Sequence, residues 1–238
     1  MPKTCEKCGS NYIYQSGTGT QRIEDEIKEY FPNARVLRMD ADTTMSKFSY
    51  EKRFKEFRNN EYDIMIGTQM IAKGLDFENV TLVGVLLIDR SLYAGDYLGY
   101  EKTFSLVTQV VGRCGRGAKA GRAFIQTFTP DHYVLELAAQ QNYKEFYAQE
   151  TEVRKALIFP PYCDICMAGF SGANEAAVKA AADKFFAMLK AEADRAKDIP
   201  VIMLGPTMNG RINNTYRAKI IIKCRNSAPF REILRRVM

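Results

Sequence analysis

The chain carries, at residues 108–117, the sequence Thr-Gln-Val-Val-Gly-Arg-Cys-Gly-Arg-Gly. Two arginines three positions apart, Arg113 and Arg116, each follow a glycine at the end of a predicted helix. Glycine lets the backbone approach a ligand closely, and a guanidinium binds phosphate oxygens in a bidentate way. The pattern predicts a phosphate-binding helix end. A glycine–arginine turn on the surface is the alternative, and the preceding Gln109 favours the first interpretation.

A second segment lies upstream, at residues 66–77, and reads Ile-Gly-Thr-Gln-Met-Ile-Ala-Lys-Gly-Leu-Asp-Phe. It follows a predicted strand. A threonine hydroxyl and free N–H groups at a strand end suit a nucleic-acid phosphate. Lys73-Gly74 is not a Walker A loop, because the order and spacing of that motif differ.

The pattern Q-x-x-G-R-x-G-R, formed by Gln109, Arg113 and Arg116 with their glycines, resembles motif VI of superfamily 2 helicases. The resemblance implies that the two arginines reach the γ-phosphate of ATP and that Arg116 acts as an arginine finger. Such a finger stabilises the charge that develops in the transition state. Gln109 belongs to the same implied catalytic set.

Residues 66–77 resemble motif V of the same superfamily. The resemblance implies that Thr68, Gln69 and Lys73 contact DNA. It also implies that Gly74 and Asp76 lie near the nucleotide. Together, the two motifs identify the segment as the second motor lobe of a helicase.

Further segments narrow the resemblance to one branch. Cys-x-x-Cys-Gly-Ser at 5–10, Gly-Thr-Gly-Thr-Gln at 17–21, Asp-Ala-Asp-Thr-Thr at 40–44 and Phe-Pro-Pro-Tyr at 159–162 occur in an order that resembles the primosomal replication-restart helicases. This family implies an ATP-dependent 3′→5′ DNA helicase, a hydrolase that acts at stalled forks. It also implies three kinds of partner: forked or single-stranded DNA, single-stranded-DNA-binding protein and primosome components. Residues 95–100 lack the arginines common in this family between motifs V and VI.

No Walker A loop and no Asp-Glu-x-His motif occurs in the 238 residues. In the family those motifs bind ATP and Mg²⁺ and belong to a first lobe. We therefore expect a fragment that hydrolyses no ATP without that N-terminal lobe.

Alternating helical and strand patterns predict an α/β fold, a RecA-like parallel sheet with flanking helices, over residues 15–158. Phe159-Pro160-Pro161 breaks the pattern. Residues 159–238 then follow a β-α-β-β-α order, which predicts a small α+β sandwich. The predicted helices cover 21–30, 46–58, 102–111, 174–197 and a segment from 229; the predicted strands cover 11–15, 35–39, 63–66, 81–88, 122–128, 162–170, 201–204 and 215–224.

The net charge of +6 is concentrated at one end. From Gly205 to Met238 the sequence has eight basic residues and one acidic residue. This predicts contact with a phosphate backbone through Arg211, Arg217 and Lys219, while a solvated basic face is the alternative. A non-enzymatic nucleic-acid-binding or partner-docking module is accordingly the alternative function.

Cys5 and Cys8 form half of a zinc site, a partial zinc-binding segment over residues 1–14. The family supplies the other two ligands from residues outside this chain, so we expect the half site to hold no zinc here. Cys163 and Cys166 lie in a predicted strand, where positions i and i+3 face opposite ways, so we expect core cysteines there. Without a signal peptide or a membrane-length apolar run, the sequence predicts a cytoplasmic protein.

Overall fold

The computed structural model describes residues 19–40, 47–72, 77, 79–112, 121–196 and 198–238, together with Thr4 and Gly9. The predicted strand at 11–15 lies outside them. The chain divides into two compact units between Asn142 and Tyr143. The domain boundary predicted from the sequence lies later in the chain, at Phe159-Pro160-Pro161. Among the described residues, no helix is both long and apolar enough to cross a membrane.

The first unit contains four strands and five helices among its described residues, in the alternating order expected of an α/β lobe. The helices are α1 (Thr20–Tyr30), α2 (Lys47–Arg58), α3 (Asp89–Leu92), α4 (Gly99–Val111) and α5 (Tyr133–Ala139). The strands are β1 (Val36–Met39), β2 (Ile64–Gly67), β3 (Leu82–Val85) and β4 (Arg122–Ile125). One turn of 3₁₀ helix, Gln69–Ala72, follows β2.

Strands β1 and β2 pair in parallel, with Val36 opposite Ile64 and Met39 opposite Gly67. Strands β3 and β4 form a second parallel pair. A parallel pair needs a crossover, and helices supply it in both cases: α2 between β1 and β2, and α3 with α4 between β3 and β4. The α/β fold with parallel strands is therefore confirmed.

Two apolar clusters hold these elements. Leu37 and Met39 of β1 are buried with Phe54 of α2. Phe77 packs on the same cluster, with its ring centroid 5.9 Å from that of Phe54. Helix α4 buries Thr103, Phe104, Val107 and Val110, a stripe with helical spacing, and packs against α3 and α5.

The second unit consists of α6 (Tyr143–Ala156), β5 (Asp164–Gly172), α7 (Glu175–Arg195), β6 (Ile202–Ile212), β7 (Thr215–Cys224) and α8 (Ala228–Val237). After α6 this is the predicted β-α-β-β-α order. The three strands form one antiparallel sheet in the order β5-β7-β6.

Helices α7 and α8 cover one face of that sheet. Ala218, Ile220 and Ile222 of β7 are almost completely buried, together with Leu189 of α7 and Phe230 of α8. Side chains alternate along a strand, so the intervening β7 residues Arg217, Lys219, Ile221 and Lys223 point to the other face. The small α+β sandwich is thus one sheet with α7 and α8 on the same side.

Candidate nucleotide and nucleic-acid sites

Thr68 and Gln69 lie directly after the carboxyl end of β2, and both are exposed. The Thr68 carbonyl accepts a hydrogen bond of 3.1 Å from the Ile71 amide, which closes the 3₁₀ turn. In open parallel α/β sheets, ligands bind beyond the carboxyl ends of the strands. The hydroxyl of Thr68 is therefore placed where a phosphate contact is possible.

Gly67 makes this placement possible. A Cβ at position 67 would collide with the Met39 carbonyl oxygen and would lie 3.0 Å from the Ile71 side chain. Backbone atoms of β1 cannot move aside without breaking the β1–β2 ladder. The close approach of the two strands thus requires glycine just before Thr68.

Gln109 lies in the last turn of α4, away from the buried stripe, and is half-buried. The Gly112 amide donates to the Thr108 carbonyl at 2.9 Å, so the helical path continues to the residue before Arg113. A side chain at position 112 would meet the Thr108 oxygen at 3.1 Å and Gln141 Nε2 at 3.5 Å. The end of α4 is therefore closely packed at the entrance to residues 113–117.

The two motif segments are brought together. The 3₁₀ turn at Gln69–Ala72 packs against α4, the helix that carries Gln109. Arg113, Arg116, Lys73, Gly74 and Asp76 lie outside the described residues, as do Cys5 and Cys8. The structure thus joins Thr68 and Gln69 to the helix that leads to the two arginines.

Asp89, the first residue of α3, was not among the site residues predicted from the sequence. Its carboxylate accepts a hydrogen bond of 3.0 Å from the Thr127 hydroxyl and bonds of 3.2 Å from the Phe128 amide. The Thr129 hydroxyl contacts it at 3.4 Å and also accepts from Tyr93 Oη at 3.1 Å. Asp89 thereby ties the exit of β4 to the start of α3. The signal was present as an aspartate after the apolar run 81–88 and a Thr-x-Thr after the strand.

His132 has a local structural role. Its Nδ1 accepts a hydrogen bond of 3.3 Å from the Val134 amide and caps α5. The ring stacks on Tyr133 at a centroid distance of 5.1 Å. Burial lowers the pKa of His132, which favours the neutral acceptor form needed for the cap.

The predicted DNA-binding residues of the second unit fall on both faces of its sheet. Arg217 and Lys219 point to the face opposite to α7 and α8. The Arg211 guanidinium lies 5.5 Å from the ring centroid of Tyr216, which packs on the helix-side core. Arg217 and Lys219 are therefore neighbours, and Arg211 is separate from them.

The cysteines of the second unit are free thiols. Cys163 precedes β5 and its sulfur contacts the Ile158 carbonyl at 3.2 Å. Burial raises the pKa of the Cys163 thiol and raises that of Cys224 to about 11. Within the described part of the chain, no group of three His, Cys, Asp or Glu side chains could hold a metal ion.

Two known protein families match separate parts of the chain, one in each compact unit. Residues 9–118 match the family model of the helicase conserved C-terminal domain, and residues 155–238 match that of the primosomal protein N C-terminal domain. The first match contains residues 68, 69, 109, 113 and 116; the second contains the basic tail. The fold and the matches define the class: a helicase C-terminal domain followed by a primosomal C-terminal domain.

Relatives that align with nearly the whole chain carry the same protein name. The chain is 42% identical to Replication restart protein PriA of Bacillus subtilis (strain 168) over 240 residues, which covers 100% of the chain and 29% of the relative. It is 36% identical to the proteins of that name from a Synechocystis strain and from Chlamydia pneumoniae, in each case over 94% of the chain. Those alignments cover 27% and 30% of the relatives, so the chain spans less than a third of the length of each. The chain belongs to the PriA family.

Proposed function

We propose that this chain is the second motor lobe, with the attached C-terminal domain, of an ATP-dependent 3′→5′ DNA helicase that restarts replication at stalled forks. One observation carries the proposal. The 3₁₀ turn after Thr68 packs against α4, whose last turn holds Gln109 and leads to Arg113. A DNA-contacting segment and an ATP-contacting segment that touch each other are what coupling of hydrolysis to movement requires.

The proposed roles follow from the chemistry of each group. Arg113 and Arg116 bind the γ-phosphate oxygens, and Arg116 stabilises charge in the transition state. Gln109 orients this pair from the helix end. The bound ATP with its Mg²⁺, held mainly by the first lobe, supplies the phosphoryl group.

The residues of motif V complete the site. Gly74 and Asp76 are proposed to lie at the nucleotide. Thr68, Gln69 and Lys73 are proposed to hold the DNA backbone by hydrogen bonds and charge. The exposed Thr68 hydroxyl at the carboxyl edge, beside a glycine that admits no side chain, supports this assignment.

The proposed partners are forked or single-stranded DNA, single-stranded-DNA-binding protein, other primosome components and the first motor lobe. Cys5 and Cys8 are proposed to give two thiolates to a zinc ion whose remaining ligands come from outside this chain. Both proposals rest on the family to which the chain belongs.

Thr68→Ala tests the proposed coupling. The chain is mixed with a separately expressed first lobe, and ATPase activity is measured as single-stranded DNA is added. Loss of the hydroxyl should raise the DNA concentration for half-maximal stimulation by about fivefold, since one phosphate contact is worth roughly 1 kcal/mol. Thr81→Ala, an exposed threonine before β3, is the matched control and should behave as wild type. Equal effects of the two changes would contradict the assignment.

A second candidate function is nucleic-acid binding by the second unit alone, which the neighbouring positions of the exposed Arg217 and the half-buried Lys219 favour. Phosphate contacts lose affinity steeply as salt rises. Binding of single-stranded DNA that weakens about tenfold on Arg217→Ala with Lys219→Ala, and survives Arg113→Ala with Arg116→Ala, would support it. Binding that is lost only when Arg113 and Arg116 are replaced would exclude this second candidate function.

A further inference from the structure

The sheet of the second unit has one face that α7 and α8 do not cover. This outer face consists of Ile165, Met167, Gly169 and Ser171 of β5, Arg217, Lys219, Ile221 and Lys223 of β7, and Ile202, Leu204 and Thr207 of β6. Residues directly opposite each other in antiparallel strands point the same way. The register therefore defines which of these side chains lie side by side.

An apolar row crosses all three strands at the centre of the outer face. Met167 is opposite Ile221, and Ile221 is opposite Leu204. Met167 is 66% exposed and Leu204 is 46% exposed. In the next row, Ile202 is 41% exposed beside Lys223. Adjacent exposed apolar side chains of this kind mark an interaction surface.

The same face is basic. Lys219 lies one row beyond Ile221, between Gly169 and Thr207, and Arg217 lies one row further. None of the eleven residues named here for the outer face is acidic. A partner with acidic side chains beside an apolar stripe would match this arrangement of charge.

At the end of the outer face that carries Lys223, residues of the same unit already contact the sheet. The Lys223 ammonium donates to the Leu157 carbonyl at 2.7 Å and lies 3.7 Å from the ring centroid of Phe159. Its charge is thus occupied within the unit. A partner would meet the row from Met167 to Leu204, with Lys219 and Arg217 beyond it.

The side chains of the row favour protein over nucleic acid. Bases of single strands stack on aromatic rings, and none of the eleven residues named for the outer face is aromatic. The nearby Phe159 ring is already in contact with the Lys223 ammonium. Aliphatic and thioether groups instead receive the apolar stripe of an amphipathic helix, and methionine adapts to its shape. We propose that the outer face of the second unit docks an amphipathic protein helix whose flanks are acidic. This inference does not depend on the motor role.

The test uses the full chain and a fluorescent synthetic helix of about five turns, with leucines on one face and glutamates elsewhere. Its twin carries lysines in place of the glutamates. Anisotropy should show binding of the acidic helix and none of the twin. Met167→Ser with Leu204→Ser should weaken binding on the order of tenfold, as should Lys219→Glu with Arg217→Glu.

The matched control is Met188→Ser. Met188 is 39% exposed on α7, on the opposite side of the sheet, and its change should leave binding of the acidic helix unaltered. Circular dichroism of each variant checks that the fold is retained.

Three results would overturn the proposal. The first is absence of binding, or binding of both peptides alike. The second is displacement of the acidic helix by a single-stranded oligonucleotide whose own binding is lost in the Met167/Leu204 variant, which would assign the face to nucleic acid. The third is a concentration-dependent dimer that the same variant abolishes, which would assign the face to a second copy.

Discussion

Lys223 lies with its ammonium 3.7 Å from the ring centroid of Phe159, and it donates a hydrogen bond of 2.7 Å to the Leu157 carbonyl. The two contacts join the end of β7 to the segment that leads into β5. Lys223 is only 8% exposed. A lysine this buried is tolerated because a carbonyl and a ring face replace water around its charge.

Lys223→Met should therefore destabilise the second unit. The change keeps the apolar stem and removes the cation–π contact and a charge-assisted hydrogen bond, a loss of about 1–3 kcal/mol. Urea unfolding followed by circular dichroism measures it. Lys219→Met, two positions away on the same face, is the control. If the control loses as much stability, the contacts of Lys223 are not the cause.

Asp89 offers a prediction in the first unit. Asp89→Asn keeps the shape and removes the negative charge that receives the Thr127 hydroxyl and the Phe128 amide. Stability should fall by about 1–3 kcal/mol, because hydrogen bonds to a charged group are stronger than neutral ones. Hydrogen exchange at the Phe128 amide should accelerate in parallel. Asp131→Asn, an exposed aspartate before α5, should change neither quantity; unaltered exchange at Phe128 in the Asp89 variant would refute the prediction.

Gly67→Ala should be far more harmful than the same change at a glycine of β3. The added methyl collides with the Met39 carbonyl across the β1–β2 ladder, and overpacking of this kind costs about 1–3 kcal/mol. A Cβ at Gly84 of β3 would meet nothing within 4 Å, so Gly84→Ala is the control. Thermal unfolding of both variants compares them. Similar melting temperatures of the two variants would contradict the close approach of β1 and β2 at Gly67.

The pair of Arg35 and Asp63 gives a pH prediction. Arg35 precedes β1 and Asp63 precedes β2; Arg35 Nη2 lies 2.8 Å from Asp63 Oδ1, and Arg35 Nε lies 3.0 Å from Oδ2. The hydrogen bonds from Arg35 lower the pKa of Asp63 from 3.8 to about 2. Because the folded-state pKa is the lower one, the stabilisation is complete above pH 3.8 and is lost as the pH falls towards 2.

Asp63→Asn removes this contribution. The melting temperature of the wild type should exceed that of the variant at pH 6, and the difference should shrink between about pH 4 and pH 2. A difference that stays constant over this range would contradict the role of the carboxylate. Asp131→Asn, an exposed aspartate before α5, is the control and should leave the difference unaltered.

The helices and strands in which apolar residues recur at a regular spacing were predictable from the sequence. The strand at 215–224 has its predicted bounds, and α2 and α4 lie within three residues of theirs. Strand β6 was predicted only to Leu204 but continues to Ile212. Gly205, with φ of +110°, and Pro206 break the alternating pattern at a register irregularity, and the ladder resumes at Thr207. Residues that suggest a turn were here accommodated within a strand.

The candidate site was predictable where a motif fixed it. Thr68 and Gln69 lie at a strand end and Gln109 at a helix end, as their patterns indicated. The Lys223–Phe159 contact was not predictable, because it joins residues far apart in the chain. For Asp89 the sequence shows the residue types but not that the carboxylate pairs with Thr127 and Phe128. The separation of Arg211 from Arg217 likewise depends on which face of the sheet each one occupies, which charge counts do not reveal.

The most direct test of the proposed motor role is ATP hydrolysis after mixing this chain with the first motor lobe. The chain alone should show none; the mixture should be active. Arg116→Ala should lower the rate by about 10³–10⁵-fold, while Arg58→Ala, an exposed arginine at the end of α2, should match the wild type. An active mixture that is indifferent to Arg116→Ala would contradict the arginine-finger assignment, and a mixture that associates yet stays inactive would contradict the motor role.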